Sequence, residues 1–529
     1  MRGTALRLAG AALVASLASI GVAGAAARPT FERQVVGISV TYQSWDQDRP
    51  WLKRTPQLRQ ALAAVVEGQL LLTTWQMVSD ATLIEVERPD GNGRVAAHVV
   101  RVDPQVDLAL LGVDSSGFFN GMEPVRLGDF VPTEGSVTSV RWRGRQIEAS
   151  TSRISRLEVQ ANLLRAVEHP FLLVNTDMQG GGWSEPVFAK DRFVGLSVSQ
   201  DDQQARILPI EVIASFLEMA RQPGAYRGFG ALGFRWQVSQ GEALNSYLKM
   251  NGAPQGVLIT KTPRGGSACG VLKPKDLLLS LDGHPIDADG YYRHPRYGQL
   301  RFTNISTEGH RAGDVLPAEV WRDGKRVRVD LKLRPAESEI DLVPDRRPDL
   351  VPAYAVLGGF VFRELDGAYM RSWGDDWRKM APLQLQVWTW LYADEQTPEQ
   401  RRIIVLNSVL PDAYNLGYHE FGDVLVRSIN GRQVGSISDV VEAFRHPEGE
   451  FHRITLVPSG RGDEIILDAT TFRDASVQIL EDYRIPEPIR LETPLPDLGP
   501  ACGDEGESAP TPPPGAGGAA AAGFAPSPR

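Results

Sequence analysis

The sequence is poor in the residues that build metal centres and disulfide frameworks. Its 529 positions include only two cysteines and eight histidines. Cys269 falls inside a candidate domain and Cys502 in a low-complexity tail, so their positions argue for neither a disulfide nor a metal site. The histidines are scattered without ligand spacing, and no metal or cofactor is expected. Basic charge is also short, with 56 Lys and Arg against 65 Asp and Glu, a net charge of -9. Nucleic acid and anionic membrane therefore have no electrostatic support as partners. Only one stretch, Leu8 to Ala23, approaches the length of a membrane span. It follows Arg2 and Arg7 and runs into small residues at Ala23–Ala27, the layout of a secretory signal peptide over residues 1–27. An uncleaved anchor is the rival reading. Cleavage would remove two positive charges, taking -9 to -11, and leave no stable membrane insertion. The expected location is exported, periplasmic or extracellular.

Turn formers are abundant, with 52 Gly and 37 Pro, which suits a multidomain chain. Apolar residues come in strand-length runs such as HVVRV, LALLGV, GVLIT, DLLLSL and RIIVL, separated by Gly, Asp and Pro, so the chain reads as mainly β. From 493 to 529 it turns to Pro, Gly and Ala with almost no large apolar residue, which predicts a disordered tail.

A repeat lies inside the β-rich part. Asp276 to Ile286 reads DLLLSLDGHPI and Asp423 to Val434 reads DVLVRSINGRQV, each an acidic residue, an apolar strand and an Asp-Gly or Asn-Gly turn. The first copy follows Ala231-Leu232-Gly233-Phe234 and precedes a second Asp-Gly hairpin at Asp323-Gly324; the second copy follows Leu357-Gly358-Gly359-Phe360. An apolar-Gly-apolar triplet followed by this core is the pattern of a PDZ domain, in which a peptide adds as a strand to a sheet edge and backbone N–H groups beside the glycine bind its carboxylate. Two such domains are expected, over 225–336 and 350–490. Leu232, Gly233 and Phe234 are the candidate peptide-binding residues; the alternative is that both copies are packing domains. Trp373 and Trp377 stand at i, i+4 spacing in a Trp-rich insert, Tyr369 to Tyr392, that could cover the second groove.

From about Val35 onward the chain resembles the HtrA/Deg family, and in GALGFRWQ, VLKPKDLLLSLDGHPI and VLPDAYNLGY most of all its plant branch. The resemblance implies a trypsin-like double β-barrel over 28–222 followed by the two PDZ domains. Family proteases carry a catalytic histidine in a segment matched here by Leu72-Thr73-Thr74-Trp75-Gln76-Met77-Val78, so Gln76 replaces the base. An amide cannot accept the nucleophile's proton. Asp107, in DPQVDLALL, holds the position of the triad acid, and a buried acid capping a turn or accepting from Gln76 is the reading favoured for it. The nucleophile turn is matched by Gly181-Gly182-Trp183-Ser184-Glu185-Pro186, which puts Trp183, with neither hydroxyl nor thiol, where the serine belongs. The indole is expected to obstruct an oxyanion pocket there. His98 and His169 are the other histidines of this region, expected at the surface or in a turn.

The resulting expectation is a catalytically inactive HtrA/Deg-like pseudoprotease, an exported peptide-binding scaffold, chaperone or regulator in protein quality control. Its partners would be protein C-termini or unfolded polypeptides. The alternative is a serine endopeptidase acting by a non-standard route through Ser184. Tyr42, Trp45 and Trp51 near the mature N-terminus further suggest, by resemblance, a homotrimer.

Overall fold

The computed structural model describes residues 31–91, 93–161, 167–177, 183–335, 341–345, 348–374, 376–458, 462–492, 494–495 and 502. The expected signal segment, and all of the expected tail but three residues, lie outside the described residues.

Six strands, β1 (Val35–Tyr42), β2 (Gln57–Val66), β3 (Leu70–Thr73), β4 (Ala81–Glu87), β5 (Arg94–Asp103) and β6 (Leu108–Val113), close a first barrel in the order β1-β2-β3-β6-β5-β4. A second barrel runs β10-β11-β12-β9-β8-β7, from β7 (Ser136–Arg143), β8 (Gln146–Ala161), β9 (Glu168–Asn175), β10 (Glu185–Ala189), β11 (Arg192–Asp201) and β12 (Gln204–Pro209). Strand β2 shows why the barrels stay together. Successive side chains of a strand point to opposite faces. Ala61, Ala63 and Val65 therefore fill the first barrel, while Leu62, Ala64 and Val66 join Phe171, Phe188 and Phe193 of the second in one core. The mainly β, double-barrel expectation holds.

Beyond the helix Ile210–Arg221, the strands Arg235–Gln237, Val257–Lys261, Leu277–Leu281, Val315–Arg322 and Lys325–Lys332 pair in that order. Further on, seven strands from Tyr354–Leu357 to Ile489–Arg490 form the main path of another sheet, in which Ile489–Arg490 pairs with Tyr354 and Ala355 at one edge. The three dipeptide turns read from the sequence fall where the hairpins are. Asp282-Gly283, Asp323-Gly324 and Asn430-Gly431 all have positive φ at both residues, which suits Gly and small polar side chains and matches strand twist.

The parts are packed against one another within the chain. Trp51 is buried with Tyr354, Val356, Val361 and Ile485, its ring 6.2 Å from that of Tyr354. The carbonyls of Gln47 and Asp48 accept from Arg363 and Asn407, and the Arg490 guanidinium lies 4.8 Å from the Trp45 ring. Tyr42 is covered by the Arg59 guanidinium at 3.5 Å. The N-terminal aromatics expected to serve a trimer are thus engaged inside one chain, Trp45 and Trp51 as the seat of the last sheet.

Two expectations are corrected. Cys269 and Cys502 form a disulfide across 233 residues, because the fold brings Cys502 to the turn that carries Cys269, a proximity that sequence position does not encode. Trp373 and Trp377 do not share a helix face. Gly374, at φ 84, ends one helical turn and Trp377 opens another, so Trp377 stacks on Trp390 at 5.7 Å instead.

Candidate functional sites

The short helix α1 (Trp75–Val78) brings Gln76 to the mouth of the first barrel. Asp107, at the head of β6 with φ 55, accepts from it twice: the Gln76 backbone N–H reaches Oδ1 at 2.9 Å and Nε2 reaches Oδ2 at 2.7 Å. Both residues are buried. The acid therefore caps α1 and holds the amide side chain, as expected of it. Burial pushes its carboxyl up to about 7, against the two hydrogen bonds, which favour the ionised form.

Ser184 lies on the facing element, just before β10. Its side chain is fully buried, its Oγ donates to the Leu62 carbonyl at 2.9 Å, and it shares a 2.7 Å hydrogen bond with Thr73. The Thr74 N–H also points to it at 3.3 Å. The φ of 51 at Ser184 belongs to the left-handed region, where glycine is the usual residue. Glu185 is buried beside it in an ion pair with Arg141. Trp183 stands 48% exposed, and the expectation that its indole obstructs an oxyanion pocket turns on positions 178–182, which lie outside the described residues.

The two histidines part company. His98 is half exposed, 3.5 Å from Asp114. His169, expected at a turn or the surface, is instead fully buried on β9 against Phe171, because strand alternation turns it inward, and burial lowers it to about 4. Neither ring is a partner of Asp107, whose carboxylate hydrogen bonds among the described residues all come from Gln76.

The second candidate site is the turn Leu232-Gly233-Phe234. Leu232 is buried and Phe234 stacks on Phe302 at 6.2 Å. Gly233 has φ 66, and a Cβ on it would lie 2.5 Å from the Ser267 nitrogen and 2.8 Å from Gly266 Cα. The glycine is thus required by the turn that carries Cys269, a reason the sequence did not disclose. Among the described residues the N–H groups of Leu232, Gly233 and Phe234 have no protein acceptor. The strand that follows, Arg235–Gln237, pairs only with Val257–Lys261 and leaves its other edge open.

The counterpart at Leu357-Gly358-Gly359-Phe360 is built differently. Leu357 pairs with Phe360, so Gly358 and Gly359 are the two centre residues of a tight hairpin. Its polar groups are used: the Gly358 N–H donates to Ser476 and its carbonyl accepts from Asn415.

A PDZ-domain family model matches residues 343–489. Two Arabidopsis thaliana proteins named as plant Do-like proteases align along nearly the whole chain. Protease Do-like 2, chloroplastic, is 24% identical over 466 residues, 86% of this chain and 74% of its own. Protease Do-like 4, mitochondrial, is 24% identical over 459 residues, 85% of this chain and 84% of its own. The chain is an HtrA/Deg homologue. Among solved structures, the HtrA-type protease AlgW with decapeptide overlaps 58% of this homologue and 97% of its own chain, at TM-score 0.44 and 19% identity. No helix among the described residues of this HtrA/Deg homologue is long and apolar enough to cross a membrane.

Proposed function

We propose that this HtrA/Deg homologue is a pseudoprotease: a scaffold that binds the C-termini of other or unfolded polypeptides and does not hydrolyse them. The observation that carries the reading is the pairing of Gln76 with Asp107, because an acid that orients an amide has no proton acceptor to orient. Ser184 adds support, since its hydroxyl proton is committed to the Leu62 carbonyl in a fully buried place. Peptide capture would fall to the first module, by strand addition beside Arg235–Gln237 with the N–H groups at Leu232-Gly233-Phe234 receiving the carboxylate. Export is part of the proposal. Disulfides persist in oxidising compartments, and the Cys269–Cys502 bond fits that setting together with the leader at 1–27. A homotrimer would need contacts other than Trp51, which is spent within the chain.

The rival, an endopeptidase acting through Ser184, draws on the names of the relatives. Reaction of the purified protein with a fluorophosphonate serine probe separates the two. No labelling is expected; labelling at Ser184, with casein cleavage that Ser184→Ala abolishes, would overturn the proposal.

A further inference from the structure

The open edge of the first module carries a charge cluster that the peptide-binding reading leaves unused. Phe234 and Trp236 both pack on Phe302, at 6.2 and 5.1 Å, so alternation turns Arg235 to the opposite face of the strand. Arg235 pairs with Lys261 of the neighbouring strand, just before a register shift between Arg235 and Trp236. Two cations thus sit side by side, one residue beyond the turn proposed to receive a carboxylate.

These cations are met by acids of the same chain. Asp394, at the end of the Trp-rich insert of the second module, lies 2.9 Å from Arg235 and 2.8 Å from Lys261, and Glu395 lies 2.5 Å from Lys261. The Asp394 side chain is only 10% exposed, whereas Arg235 is 46% exposed. The acid is thus largely covered while its cationic partner keeps an open side. Asp341, nearby, is raised to about 7 by its burial and then by Asp394, while Arg402 and Arg235 act the other way.

We propose that Arg235 and Lys261 are the charge-reading subsite of the first PDZ groove, selecting peptides with an acidic residue shortly before an apolar C-terminus, and that Asp394 and Glu395 occupy this subsite until such a peptide displaces them. A strand added at the free edge alternates its side chains as the strand beside it does. One set of ligand residues faces the apolar side with Phe234 and Trp236, and the other faces Arg235 and Lys261. The inference rests on the reading that the first module binds peptide C-termini.

The test uses the full chain and fluorescent decapeptides ending in Phe, with Asp or Asn at the three preceding positions. The parent protein should prefer the Asp peptides. The isosteric pair Asp394→Asn with Glu395→Gln should bind them roughly threefold to tenfold tighter, the scale of one or two partly exposed ion pairs. Arg235→Glu should erase the Asp-over-Asn preference. Equal binding of Asp and Asn peptides in every variant, with binding still abolished by Gly233→Val, would overturn this inference alone. Binding that survives Gly233→Val, or no binding of any peptide to the parent and the Asp394→Asn/Glu395→Gln chain alike, would overturn the peptide-binding reading and this inference with it.

Discussion

The Gln76 amide nitrogen lies 2.7 Å from the Asp107 carboxylate, donating to the acid at the place where the HtrA resemblance expects an imidazole. On the proposed reading, in which these two residues stand at triad positions, the acid is kept and its proton acceptor is replaced by an amide. Restoring the missing groups is expected to be insufficient. Gln76→His and Trp183→Ser supply a base and a nucleophile beside Asp107, yet the turn still carries Ser184 at positive φ and the buried Glu185–Arg141 pair. The double variant should cleave casein at under roughly a hundredth of the rate of an ordinary family protease, as misplacement of a nucleophile and oxyanion donor predicts. Full turnover would show that the loop geometry had been intact all along.

Asp107 also predicts a pH dependence. Unfolded, a carboxyl of this kind ionises near 4; folded, it keeps its proton to about 7. Between those values the native state holds the extra proton, so this group's contribution falls as pH rises and levels off above about 7. Asp107→Asn removes the ionisation, and rotation of the Gln76 amide keeps the pair bonded. The variant should match the parent near pH 4 and exceed it by on the order of 1–3 kcal/mol at pH 8, read by chemical denaturation at both values. A constant difference across that range would count against a buried ionising Asp107.

Gly233→Val should abolish peptide capture, because a side chain there meets the Ser267 nitrogen and forces φ out of the left-handed region. A stability cost of about 1–3 kcal/mol is expected alongside. Amidating the peptide terminus should weaken binding to the parent without touching stability. Gly358→Val strains a hairpin whose polar groups are already paired and presses on Tyr414 and Phe472, all in the last module, and peptide titration by fluorescence anisotropy should find affinity unchanged.

Trp51→Ala is expected to loosen the last sheet from the barrels. Truncating a buried indole costs about 3–5 kcal/mol, and the loss should appear as faster hydrogen exchange at Tyr354–Leu357 with little change in β6. Equal exchange in both proteins would show that Trp51 is not the seat of that module.

Tryptic digestion without reductant should give one cross-linked peptide pair containing Cys269 and Cys502, resolved into two by reduction. Two free thiols in protein purified from an oxidising compartment would remove that link and weaken the case for export.

Much of this was legible in the chain itself. Strand-length apolar runs marked β5 at HVVRV and β6 at LALLGV, and three Asp-Gly or Asn-Gly pairs fixed hairpins, because these signals act between residues a few positions apart. Gln76 and Asp107 were found by their local frames, LTTWQMV and DPQVDLALL, although they stand 31 residues apart. What stayed hidden depends on how modules dock. The burial of Trp51 beneath Tyr354, the ion cluster of Arg235 with Asp394 and the Cys269–Cys502 bond each join residues more than 150 positions apart. His169 was missed for a subtler reason: the proline after it suggested a turn, yet Pro170 lies within β9.

The disulfide has a mechanical consequence. Everything between Cys269 and Cys502, including the whole last sheet, lies within a covalent ring. Tension applied to the chain beyond Cys502 passes through the sulfur bridge to the first module and does not peel the last strand, Ile489–Arg490, from Tyr354 and Ala355. A processive unfoldase pulling from the C-terminus of the oxidised protein would stall at the bridge with the last module still folded, and in a reducing compartment the same pull would take that module first.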